Sequence, residues 1–180
     1  MTSAVAEGIR INECVLRLMK DDITNLDVDA FVFYARSDLT LGSGFGGAIA
    51  VRGGPSVQKE LDNLAPVAPG EAVVSSAGKL KARHIIHAVG PKFQEEDTEE
   101  KLHRTVLNTL RRAEEAEVER LALPAMGAGY YGIPPSLCAR TMLEAITEHL
   151  QASTRLKEIV VCVLDSNQYN AFKNQLETKP

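Results

Sequence analysis

A chain of 180 residues, 44% hydrophobic and 24% charged, carries enough apolar material for one full-sized core and needs no disulfide or metal staple. A net charge of -4 and a pI near 5.6 argue against non-specific binding to duplex nucleic acid, which rests on neutralising phosphates. An anionic small ligand stays open if backbone dipoles hold it in place of a basic patch.

Cys14, Cys138 and Cys162 lie far apart, show no metal or redox spacing, and fit a reducing compartment. Neither a secretory start nor a bilayer-length apolar run is visible, so a soluble, cytoplasmic protein is expected, or a nuclear one in a eukaryote. Residues 1–8 show no pattern and are expected to be flexible, with a single domain over 9–180. Ile9 to Met19 alternates in part and predicts one or two strands leading into Lys20-Asp21-Asp22-Ile23-Thr24. Ala30 to Ala35 is a continuous apolar run, as in a strand covered on both faces.

After a loose segment from Arg36 to Gly44, the spacing predicts a short helix over Gly46 to Arg52. A second helix opens at Pro55, with Val57, Leu61 and Leu64 on one side. Glu71 to Ser76 and His84 to Val89 read as strands, the latter stopped by Gly90-Pro91. Asp97-Thr98-Glu99-Glu100 has capping-box spacing and opens a helix whose apolar face is Leu102, Val106, Leu110 and Ala113. The short apolar run from Leu121 ends at Pro124, a flexible loop follows from Met126 to Gly132, and Pro134-Pro135-Ser136 opens a helix that buries Ala139, Leu143, Ile146 and Leu150. Ile159 to Leu164 is the most strand-like run, and Asp165-Ser166 can cap a last helix carrying Tyr169, Phe172 and Leu176.

Strands alternating with helices predict an α/β sheet, mostly parallel and covered on both faces. Ligands of such sheets settle beyond the carboxyl ends of the strands. Asp22 to Thr24, Arg36 to Gly47, Met126 to Gly132 and Leu164 to Asn167 all follow strands and are predicted to converge on one crevice. The loop before Pro134 combines glycines, which let the main chain approach a phosphate, with a helix entrance that offers unpaired N–H groups. The same pattern also occurs in ordinary turns between a strand and a helix. His84 and His87 are three apart in a strand and point to opposite faces, so they cannot share a metal, and His87 reads as a hydrogen-bonded core histidine. His103 and His149 fall on helices near solvent. No Gly-x-Ser-x-Gly elbow exists, and the loop lacks the lysine and hydroxyl of a Walker A element. Neither a catalytic residue, a metal nor a cofactor is assigned.

With these segments in order the chain resembles the macro domain, the ADP-ribose-binding module. Four pieces carry the likeness: Asp22-Ile23-Thr24 with Val28-Asp29-Ala30; Gly42-Ser43-Gly44-Phe45-Gly46-Gly47-Ala48-Ile49; Ser76-Ala77-Gly78-Lys79-Leu80 with Ile85-Ile86-His87-Ala88-Val89-Gly90-Pro91; and the loop Met126 to Gly132 with Pro134. The resemblance implies a three-layer α/β/α fold with a mixed, mostly parallel central sheet. It implies that Asp22 accepts from the adenine amino group and that Ile23 packs beside the ring; the alternative for Asp22 is a solvated carboxylate in a polar turn. The stretch Gly127, Ala128, Gly129, Tyr130 and Tyr131 resembles the diphosphate cradle. Gly42, Ser43, Gly44, Phe45 and Gly46 would close over its other side and the distal ribose. Tyr130 and Tyr131 would wall that ribose, unless one is core, and Leu164 resembles the position lining adenine or is plain core.

Two departures bear on chemistry. Members that hydrolyse ADP-ribosyl bonds usually carry an Asn-Ala-Ala-Asn segment after the second strand, where this chain reads Phe33-Tyr34-Ala35-Arg36. The Arg36 guanidinium donates but cannot accept, so it cannot reproduce an asparagine's ribose contact. It would instead meet an added phosphate on a longer ligand or pair with Asp38. Many hydrolases also place an aspartate in the first glycine loop, where this chain has Gly46. The likeness is therefore closer to the histone-variant-type branch, which binds without hydrolysing. The partner implied is ADP-ribose, a related NAD-derived nucleotide, or an ADP-ribosylated protein; no membrane partner is expected, and the acidic balance argues against nucleic acid. Two alternatives remain: an ADP-ribosyl hydrolase or deacetylase using substrate-assisted chemistry, and a degenerate fold serving as an interaction or nucleic-acid scaffold, with Phe33, Tyr34 and Arg36 filling or reshaping the distal pocket.

Overall fold

The computed structural model describes residues 2–5 and 8–178. Eight strands form one sheet: β1 (Thr2–Val5), β2 (Gly8–Ile11), β3 (Cys14–Lys20), β4 (Ala30–Tyr34), β5 (Ala72–Ser76), β6 (His84–Ala88), β7 (Arg120–Leu123) and β8 (Glu158–Val163). Their order is β1-β2-β3-β8-β7-β4-β6-β5. The four inner pairings, β3–β8, β8–β7, β7–β4 and β4–β6, are parallel; β1–β2, β2–β3 and β5–β6 are antiparallel. Of the start 1–8 expected to be flexible, Thr2–Val5 is strand β1 and Gly8 opens β2, while residues 1, 6 and 7 lie outside the described residues.

The pleat sorts side chains onto two faces with a period of two. Ala30, Val32 and Tyr34 of β4 point into one apolar cluster, and Phe31 with Ala35 into the other; Ile159 and Val161 of β8 oppose Val160 and Cys162 in the same way. Helices α3 (Thr98–Glu115), α4 (Pro135–His149) and α5 (Ser166–Thr178) cover the first face through Leu102, Val106, Leu110, Ala139, Met142 and Phe172. Helices α1 (Gly44–Gly53) and α2 (Pro55–Leu64) cover the second through Ile49, Val57 and Leu61. The result is the three-layer α/β/α arrangement. Leu64, expected on the buried side of α2, is 37% exposed at the helix's last turn.

Cap chemistry agrees with the sequence at one helix and not at another. Asp165 caps α5 through a 2.9 Å bond from the Gln168 amide. Asp97, by contrast, sits in the left-handed region (φ 57°) with no side-chain cap bond, so the expected capping box does not form. The Thr98 hydroxyl instead donates to the Glu95 carbonyl at 2.7 Å and ties the helix to the preceding turn.

His87 is fully buried on β6. Its Nε2 lies 2.8 Å from Ser75 Oγ, but its Nδ1 has no partner, so it is only half satisfied. Burial alone pushes its pKa down to about 4. The folded pKa thus lies below the unfolded value near 6.5, and the unfolded chain binds the extra proton between the two. Stability is expected to fall as pH drops from about 6.5 to about 4, by on the order of 3 kcal/mol from this residue. Urea denaturation of native and His87→Leu protein at several pH values checks this: the variant should lose most of that slope, and identical slopes would refute it.

Candidate functional site

The crevice lies where the inner strands end. β3 runs into the 3₁₀ turn Ile23–Asn25, β4 into the loop before α1, β7 into the loop around the 3₁₀ turn Gly129–Tyr131, and β8 into the start of α5. Two adjoining cavities, of about 470 Å³ and about 440 Å³, share Gly44, Phe45, Pro124, Ala125 and Ala128 as common wall. Together they form one groove, each half within the size range of small-molecule sites, roughly 300–1,000 Å³.

One half is lined by Asp21, Asp22, Ile23, Cys162, Leu164, Asp165 and Gln168. The other is lined by Phe33, Tyr34, Arg36, Thr40, Gly42, Ser43, Gly46, Gly127, Tyr130 and Tyr131. All the site residues expected from sequence therefore line the groove except Gly129, which lies in the loop between Ala128 and Tyr130 without facing either cavity. Leu164 is 69% exposed at the groove, not core, and Tyr130 is 92% exposed at its mouth. Thr40 and Leu41 lie in the segment 36–47 expected at the crevice, while the sequence reading missed Pro124, Ala125 and Gln168, whose types are unremarkable and which only the fold brings to this edge.

Two runs of main chain flank the groove. α1 begins at Gly44, and the first N–H groups of a helix have no intrahelical acceptor. Among the described residues, the amides of Gly42, Ser43, Gly44, Phe45 and Gly46 donate to no backbone carbonyl, and the Ser43 hydroxyl makes no cap bond. The amides of Gly129, Tyr130 and Tyr131 are likewise free of backbone acceptors, whereas that of Ala128 closes a turn onto the Ala125 carbonyl at 3.2 Å. The second loop is held from beneath by sulfur: Met126 N donates to Met142 Sδ at 3.3 Å, and Cys138 Sγ to the Met126 carbonyl at 3.2 Å.

At one end, Asp22 is well partnered. Its Oδ1 accepts from the Thr24 amide at 3.0 Å and the Thr24 hydroxyl at 2.7 Å, and its Oδ2 from Arg52 at 2.6 Å. Burial raises its pKa, but these donors outweigh burial and hold the carboxyl below its usual range. Cys162 lines this half, and burial pushes its thiol up to about 11, which removes it as a thiolate nucleophile.

At the other end, Arg36 pairs with Asp38 at 3.2 Å, the side chains 62% and 54% exposed. Such a pair is weak and leaves the guanidinium available at the groove rim. Neither aromatic of the Phe33-Tyr34 pair fills the pocket. Phe33 packs edge-on against Phe45 at 5.0 Å, and the buried Tyr34 turns its hydroxyl to the Pro91 carbonyl and its ring against Tyr131 at 4.9 Å. The cavity stays open beside them, with Phe33, Tyr34 and Arg36 among its lining residues.

An α/β/α sandwich with a groove of this size at its carboxyl edge, flanked by free amides and ended by a carboxylate, has the form of a small-ligand site at the end of a parallel sheet. The macro domain family matches residues 34–142. A relative from Sulfurisphaera tokodaii is 40% identical over 167 residues, 91% of each chain. A macro domain-containing protein of Caldanaerobacter subterraneus is 33% identical, covering 90% of this chain and 95% of its own. The solved Oceanobacillus iheyensis macrodomain superposes with a TM-score of 0.88 at 26% identity, over 98% of this chain; one of its structures, of a variant, holds ADPR and another holds ADP. The chain belongs to the macro domain family.

Proposed function

We propose that the groove binds ADP-ribose, free or carried on a modified protein, and leaves it uncleaved. The observation that carries this reading is the pair of free-amide runs flanking one groove that ends at Asp22. Amides at a helix entrance suit a diphosphate, and an ionised carboxylate suits the adenine amino group. The ADPR held by the Oceanobacillus iheyensis relative fits the same chemistry. Arg36, Tyr130 and Tyr131 then border the distal ribose. Among the residues lining that half there is no aspartate, glutamate or histidine, which supports a reader of the histone-variant type over a hydrolase, since general-base activation of water needs such a group within reach.

Titration calorimetry with ADP-ribose, AMP and ribose 5-phosphate tests the binding. ADP-ribose should bind best, and Asp22→Ala should weaken it by about tenfold or more, the effect of losing a hydrogen bond to a charged group. No heat with ADP-ribose at millimolar concentration sinks the proposal. Incubation with mono-ADP-ribosylated protein separates reader from eraser, because a reader leaves the modification in place.

A further inference from the structure

We propose that Arg52 is a positioning residue for base recognition: it clamps the Asp22 carboxylate so that one acceptor edge meets position 6 of a purine, selecting a 6-amino over a 6-oxo base. The inference rests on the reading that the groove takes an adenine nucleotide. One nitrogen of Arg52 makes two contacts, to Asp22 Oδ2 at 2.6 Å and to Thr24 Oγ1 at 2.5 Å, while the Thr24 hydroxyl and amide both donate to Asp22 Oδ1. Carboxylate, hydroxyl and guanidinium thus form a closed ring. A carboxylate offers about four lone-pair sites. Three are filled by these donors, and the remaining one belongs to Oδ2.

The ion pair itself is half-exposed, 47% at Arg52 and 31% at Asp22, and such pairs add little to folding. Its consequence is to be sought in what it does to Asp22. A fixed, ionised carboxylate can only accept. A 6-amino group supplies the donor it needs, whereas a 6-oxo group sets oxygen against oxygen. The other charged and titratable groups at this end do not replace Arg52: Asp21 and Asp165 are carboxylates, Cys162 donates to the Asp21 carbonyl at 3.2 Å, and Lys20 donates to Ser166 at 2.6 Å. Arg52 also lies in the last turn of the helix whose first turn carries the free amides, so α1 links the base end of the groove to its diphosphate wall.

Calorimetry with ADP-ribose and its hypoxanthine analogue, on native, Arg52→Ala and Arg52→Lys protein, tests this together with carbon-detected NMR titration of the Asp22 carboxyl in the ligand-free proteins. Native protein should prefer ADP-ribose by about a hundredfold. Arg52→Ala should weaken ADP-ribose by about tenfold, leave the analogue unchanged and raise the Asp22 titration midpoint. Arg52→Lys should recover most of the preference, because a single nitrogen makes both contacts. An unchanged preference, tighter ADP-ribose binding or an unmoved midpoint in Arg52→Ala overturns the role of Arg52. Absence of binding by native protein overturns the nucleotide reading and base selection with it, an outcome distinct from a midpoint that fails to move in a protein that binds.

Discussion

Gly129→Glu protein is expected to fold and yet to lose affinity for ADP-ribose by a hundredfold or more, on the order of 3 kcal/mol of binding. A Cβ built at Gly129 meets nothing closer than the Gln168 side chain at 4.0 Å, so the substitution creates no clash in the protein. The cost to the fold is that of placing a non-glycine residue at φ +75°, about 1–2 kcal/mol. The surroundings of that Cβ make the position sensitive. Its one neighbour within 4 Å is Gln168 Nε2, and Gln168 lines the base half of the groove, while Ala128 and Tyr130 on either side of Gly129 line the cavities, so a longer side chain here has room to reach the groove. A glutamate there brings both bulk and negative charge to where a diphosphate would lie, and like charge discriminates strongly at a binding site. Gly129→Ala carries the same backbone cost without the reach and should bind within a few-fold of native. Calorimetry with thermal denaturation on both variants checks the pair; undiminished affinity in Gly129→Glu refutes the placement of the phosphates.

The architecture was legible because periodicity and punctuation agree in this chain. The apolar run at Ala30 to Ala35 has the length and composition of a strand covered on both faces, and Pro134-Pro135 marks the start of α4. The crevice followed from topology: segments that trail parallel strands must gather at one edge. Contacts between distant segments were not legible. Arg52 and Asp22 are thirty residues apart, and nothing local to either reveals the pair. Asp97 has the spacing of a capping box, but spacing does not report the left-handed backbone that turns its side chain away. His87 read as satisfied because strand alternation buried it, but no sequence pattern counts the acceptors around Nδ1. Leu164 follows an apolar strand and reads equally as core; only the folded chain, which leaves it exposed in the groove lining, separates the two.

Gly46→Asp, the substitution that places in the first glycine loop the aspartate many hydrolases carry there, is expected to destabilise the protein without conferring hydrolysis. A Cβ at Gly46 would lie 1.7 Å from the Leu41 carbonyl oxygen and 2.6 Å from its carbon, a collision of backbone with backbone that no rotamer change relieves. The opposing strand of the loop cannot easily move away. Leu41 is buried, its amide donates to Gln58 Oε1 at 3.0 Å, and Gln58 Nε2 holds the Leu39 carbonyl at 3.2 Å, so the loop is pinned to α2. Relief requires either breaking these bonds or shifting the first turn of α1, the turn whose free amides flank the groove. The expected loss is about 4 kcal/mol or more, a drop in melting temperature of about 10 °C or more for a chain of this size. Weakened ADP-ribose binding should accompany it. Gly47→Ala is the control: its Cβ meets only the Gly42 carbonyl at 3.3 Å, and the gain in helix propensity offsets that tight contact, so its stability should stay within about 1 kcal/mol of native. In this chain the glycine at 46 is thus a condition of the loop's shape and not merely a missing carboxylate. A Gly46→Asp protein that melts with the native one and removes ADP-ribose from a modified substrate would show the opposite, that the loop is permissive and a single side chain separates the two activities.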